Sequence, residues 1–111
     1  MLKKLFIFLT TLNCAGNNLT SLNVSGLTNL KDLDCINNKL VSLNCSGLTS
    51  LTNLICYDNK LTSLTISGLT SLIKINCQNN NTYFSIIHYL LHHYLLRISC
   101  SIFHQSLPLA F

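Results

Sequence analysis

The sequence predicts a solenoid of stacked coils, each contributing one short strand to a parallel sheet. A 21-residue unit recurs without insertion between Leu9 and Asn80. Inside each unit a Leu-x-Cys segment alternates inward and outward positions, the period of a strand. No stretch of 9–81 carries a sustained apolar stripe at 3.6-residue spacing, so long helices on the outer side are not expected.

In register, the first unit reads LTTLNCAGNNLTSLNVSGLTN from Leu9 and the second LKDLDCINNKLVSLNCSGLTS from Leu30. The third reads LTNLICYDNKLTSLTISGLTS from Leu51, and a fourth opens with LIKINCQNN at Leu72. Leu12, Leu33, Leu54 and Ile75 form one column, Cys14, Cys35, Cys56 and Cys77 a second, and Asn17, Asn38, Asn59 and Asn80 a third. Such a unit cannot bury its apolar side alone, so neighbouring coils must cover it. Three full coils and part of a fourth are near the minimum for a stable array. The second half of each unit turns the chain back, with Leu19, Leu22, Val24, Leu27 and Leu30 able to face the core. Gly26, Gly47 and Gly68 share one turn, where a positive φ or a close backbone approach is expected.

The first eleven positions of each unit, L-x-x-L-x-C-x-x-N-x-L, resemble the leucine-rich-repeat pattern, with Cys where Leu is usual. The resemblance covers residues 9–80, about two thirds of the chain. The compact unit with its central Cys and SGLT segment is similar to bacterial surface repeats of the internalin-like kind. The fold implied is a leucine-rich-repeat solenoid with a short parallel strand per coil and an irregular or briefly extended convex side. The function implied is recognition of a protein or glycan on the strand-lined face, and the location implied is secreted or cell-surface.

The Asn and Cys columns read as structural ladders. An Asn in a turn can satisfy backbone groups of its own and adjacent coils. Four thiols in a straight line cannot converge tetrahedrally on one zinc ion. Disulfides between adjacent coils would be strained, because parallel Cβ vectors keep those atoms too far apart. The remaining reading is that the cysteines are small core hydrophobes. Cys45, in the column of Val24 and Ile66, is read the same way. The candidate binding positions are the outward ones: Thr11, Asp32, Asn53, Lys74; Asn13, Asp34, Ile55, Asn76; and Ala15, Ile36, Tyr57, Gln78. Among them Asp34, Ile36, Ile55 and Tyr57 form a mixed apolar and acidic patch at mid-array, with Tyr57 the natural anchor.

Charge excludes a nucleic-acid partner. Lys31, Lys39, Lys60 and Lys74 against Asp32, Asp34 and Asp58 leave the array at +1; the rest of the formal +4 comes from Lys3, Lys4 and Arg97. Scattered lysines do not make the basic stripe that such binding needs. No nucleophile–base constellation, phosphate-binding glycine loop or carboxylate pair is present, so neither enzyme activity nor a cofactor is expected.

The two ends differ from the array. Residues 1–8 are an apolar cap, or the start of a secretory leader with two lysines before a short apolar run. Against the leader stands the register: Leu9, Leu12, Cys14 and Asn17 already belong to the first coil. Residues 82–111 contain no Asn, Asp, Glu, Lys or Gly and hold all four histidines. Apolar residues at helical spacing allow a helix over about 84–100. The window 83–103 is long enough for a membrane span, but Arg97 and three histidines argue against that. His88 and His92 stand four apart without the Glu of a metalloprotease motif, so no metal site is assigned. The abrupt change also fits a truncated array, making the chain a structural fragment of a longer repeat-containing surface protein.

Overall fold

In the computed structural model, the described residues are 6–81 and the backbone of Ser99–Cys100. They form a parallel β-solenoid of about three turns. The principal sheet has five strands in the order β1 (Thr11–Asn13), β2 (Asp32–Asp34), β4 (Asn53–Ile55), β6 (Lys74–Asn76) and β7 (Ser99–Cys100). A second sheet on the opposite wall pairs β3 (Ser42–Asn44) with β5 (Ser63–Thr65). All pairings are parallel. Thr11 lies beside Asp32, Asp32 beside Asn53 and Asn53 beside Lys74, each a 21-residue step.

The strands β1 to β6 each span three residues, and in each the middle side chain and the residue two positions on, a cysteine in all but β5, face the core. In the second coil Leu30, Leu33, Cys35, Leu40, Leu43, Cys45 and Leu48 are all buried. The third coil repeats the set with Leu51, Leu54, Cys56, Leu61, Leu64, Ile66 and Leu69. At about 1.5–3 kcal/mol per fully buried aliphatic side chain, this stack is the main source of cohesion. In the first coil only Val24 is fully buried. Leu9, Leu12, Cys14, Leu19, Leu22 and Leu27 are half-exposed, because no described coil lies outside them.

Two turns close each coil. The Leu27 N–H donates to the Val24 carbonyl at 3.2 Å across a turn whose third residue, Gly26, has φ +82°. That is the glycine position of a type II turn. Gly47 and Gly68 repeat it at +82° and +77°, as the sequence predicts. A Cβ there would meet nothing within 4 Å, so the requirement is conformational and not one of space. Asn23 and Asn44 lead into this turn by accepting the N–H and Oγ–H of Ser25 and Ser46.

The second turn adds a column that the repeat pattern did not single out. Gly16, Asn37, Asp58 and Asn79 occupy equivalent positions and all have φ between +56° and +69°. Gly, Asn and Asp are the residues that tolerate the left-handed region, so the residue types themselves are consistent with the turn.

A helix extending to residue 100 is corrected at its end. Ser99 and Cys100 are strand, pairing with Lys74 and Ile75. A strand edge offers unpaired backbone groups, and that demand outweighs local helical periodicity in this dipeptide. Positions 84–98, including His88 and His92, lie outside the described residues, as do most of the 83–103 window and residues 1–5.

Candidate functional site

The outward face of the principal sheet presents the columns identified above. Asp34 and Ile55 are register neighbours on β2 and β4. Ile36 and Tyr57 follow just beyond the ends of those strands, where the backbone ladder continues: Gly16 N–H donates to the Ile36 carbonyl at 3.0 Å, and Asn37 N–H to the Tyr57 carbonyl at 3.2 Å. Asp34, Ile36, Ile55 and Tyr57 therefore form a two-by-two block on adjacent coils. All four side chains are half-buried by their neighbours.

Within that block the column of Asn13, Asp34, Ile55 and Asn76 is not uniform. Asn13 Oδ1 accepts the Ala15 N–H at 3.1 Å, Asp34 Oδ1 the Ile36 N–H at 3.2 Å, and Asn76 Oδ1 the Gln78 N–H at 3.4 Å. Each polar residue thus ties down the backbone two positions on. Ile55 has no acceptor and forgoes that bond. One carboxylate oxygen of Asp34 is correspondingly committed to the fold, a role the outward position alone did not reveal.

Asn53, at the centre of the same face, has an enclosed Oδ1 with no hydrogen-bond donor. An unsatisfied buried acceptor of this kind costs about 1–3 kcal/mol.

The Asn column binds coil to coil. Asn38 Oδ1 accepts the N–H groups of Asn17 and Leu19, both at 2.9 Å, while its Nδ2 donates to the carbonyls of Cys14, Cys35 and Ile36 at 3.1–3.2 Å. Asn59 and Asn80 repeat the donor pattern one and two coils on, each reaching the preceding coil's cysteine carbonyl. Their Oδ1 atoms accept from Leu40 and Leu61 N–H. Asn17 reaches only Cys14 and Ala15 of its own coil.

Cys14, Cys35, Cys45 and Cys56 are free thiols, and Cys77 continues the ladder into the last coil; all are buried except the half-buried Cys14. Burial pushes Cys35 and Cys45 up to about 12, with neighbouring thiols and Asp34 adding to the effect at Cys35. Cys56 is likewise raised, first by burial and then by Cys77, Cys35 and Cys45. In Cys14 burial is again the larger cause, with Asp34 second. Thiols held protonated in this way are poor nucleophiles and poor metal ligands.

Comparison of the chain with protein families, curated proteins and solved structures returns no match.

Proposed function

We propose that the chain is a non-catalytic recognition scaffold of the leucine-rich-repeat type, which holds a protein or glycan partner on the outward face of its principal sheet. The observation that carries this reading is Ile55. Its column otherwise holds side chains that cap the backbone two residues on. Ile55 gives up that bond and instead places an aliphatic surface beside Ile36 and Tyr57. A fold-stabilising role does not account for that exchange; contact with a partner does, since aromatic and aliphatic groups ringed by polar ones are what binding hot spots consist of. Asp34 and Lys74 at the margins supply polar, orienting contacts. The internalin-like pattern of the repeats supports a secreted or surface location.

The test replaces Ile55 by Asn, restoring the capping residue, alone and together with Tyr57→Ala. Partner capture from surface extracts and binding to a glycan array are measured alongside thermal stability. The reading expects Ile55→Asn to hold or raise stability while abolishing whatever the wild-type protein captures. If the captured species are unchanged in both variants, this face is inert, and the coils serve as a structural spacer of a longer surface protein.

A further inference from the structure

The outward face of the principal sheet carries two acids that no described cation neutralises. Asp32 and Asp34 stand two positions apart on β2, so both project from the same side of the strand, roughly 6.8 Å apart along it. Both are half-buried. Asp34 Oδ1 accepts the Ile36 N–H, which leaves its second oxygen open. The Asp32 carboxylate makes no hydrogen bond, and neither acid forms an ion pair, among the described residues. Asp58, the third acid of the chain, differs: its Oδ1 takes an Nδ2–H of Asn79 at 2.7 Å in the turn.

The neighbours of this pair offer acceptors or apolar surface instead of positive charge. Beside Asp32 in register lies Asn53, whose enclosed Oδ1 also lacks a donor. Beside Asp34 lies Ile55, with Ile36 and Tyr57 each two positions further along the chain. On the other flank are uncharged Thr11 and Asn13. Lys74 of the same face is separated from Asp32 by β4, two strand spacings or about 9.6 Å away. Two like charges this close, partly withdrawn from water, repel each other. A cation set between them relieves that repulsion.

We propose that this face recognises an arginine side chain of a protein partner, held between the Asp32 and Asp34 carboxylates with its stem against Ile36, Ile55 and Tyr57. The proposal rests on the face being a recognition surface and adds what it recognises. Charge selects the occupant: a neutral or acidic glycan leaves both carboxylates uncompensated, whereas a cationic side chain does not. Arginine fits better than lysine for two reasons. Its planar fork carries five N–H donors and serves two carboxylates at once, while an ammonium is a compact point charge. It also lies flat against apolar and aromatic surface, which Ile55 and Tyr57 provide. Lys74 repels a cation from the β6 side and so gives the site one negative and one positive end. The formal +4 of the whole chain acts over longer distances and is screened at physiological salt.

The experiment measures binding of the whole chain to four immobilised octapeptide pools, random except for a central Arg, Lys, Gln or Glu. The expected order is Arg above Lys, with Gln and Glu at least about tenfold weaker than Arg. The Arg signal falls as salt rises. Asp32→Asn and Asp34→Asn each reduce the Arg preference, and together they abolish it. Both keep the fold, because the repeat already places Asn in these columns at Asn53, Asn13 and Asn76. Asp58→Asn, which removes the same charge from the turn, leaves the preference intact. Equal binding to all pools, binding to none, or an Arg preference indifferent to Asp32 and Asp34 would each overturn the proposal. Binding that depends on Ile55 and Tyr57 but not on the central residue overturns the arginine assignment alone and leaves the face as the site. An Arg preference lost with the aspartates but kept in Ile55→Asn with Tyr57→Ala overturns the proposal together with the reading of the apolar block beneath it.

Discussion

Asn59 Nδ2 donates to the carbonyl of Cys35, one coil earlier and 24 residues back, at 3.0 Å. The same amide also reaches Cys56 and Tyr57 carbonyls, while its Oδ1 takes the Leu40 N–H. A single side chain therefore satisfies backbone groups that turn chemistry leaves unpaired inside the solenoid, where water cannot reach them.

Replacing Asn59 by Leu removes both sides of this arrangement and strands several buried backbone groups. The expected loss is about 2–4 kcal/mol in urea unfolding, since each stranded group costs about 1–3 kcal/mol and partial relaxation follows. Asn17→Ala removes an exposed side chain that bonds only within its own coil and should cost less than about 1 kcal/mol. Equal losses at the two positions would contradict an inter-coil role for the column.

Cys45 and Cys35 hold their protons to about pH 12 in the folded chain, against an ordinary thiol value of 9.0. The unfolded chain releases these protons first as pH rises. Their contribution to stability is thus complete below pH 9 and is lost progressively towards pH 12, at roughly 1.4 kcal/mol per pH unit for each thiol. Cys45→Val, which copies Val24 of the same column, should flatten this alkaline decline in a denaturation series from pH 8 to 11. An unchanged slope would show that Cys45 does not contribute to it.

Thiol labelling should follow burial. Under native conditions Cys14 reacts with a disulfide reagent ahead of Cys35, Cys45, Cys56 and Cys77, which become reactive only on unfolding. Peptide mapping of the labelled protein checks the order; early labelling at Cys56 would contradict the packing described.

At the turns, Gly47→Ala should destabilise by about 1–2 kcal/mol, because φ +82° penalises any Cβ even though nothing stands in its way. Asp58→Gly, at φ +57°, should be neutral or nearly so. Thermal melts of the two variants distinguish them.

Asn53→Val removes the enclosed acceptor that finds no donor and suits a strand, so an increase of about 1 kcal/mol is expected. A decrease would mean that the Asn53 amide makes a contact more favourable than the cost of its unpaired oxygen.

The repeat carried most of this architecture in plain view. A 21-residue spacing requires like residues to stack, and columns of Leu, Cys and Gly state which side faces inward and where the chain turns. The left-handed column of Gly16, Asn37, Asp58 and Asn79 was equally visible, yet its meaning depends on knowing that a turn falls there. The candidate face was legible as a set of outward positions. Its internal distinction, Ile55 standing where its neighbours cap the backbone, was not, because those side-chain bonds to residues two positions on are set by local geometry.

Sequence alone thus determined the period, the inward and outward sides of each coil and the glycine turns, because these follow from short-range alternation repeated at constant spacing. Tertiary structure decided what happens where the repetition stops. It set Ser99–Cys100 as a strand on the edge of β6 and left β1 with a described neighbour, β2, on one side only. The physical reason is that an end coil has only one neighbour. What satisfies its open backbone groups and apolar side chains is a matter of spatial proximity that no periodic pattern encodes.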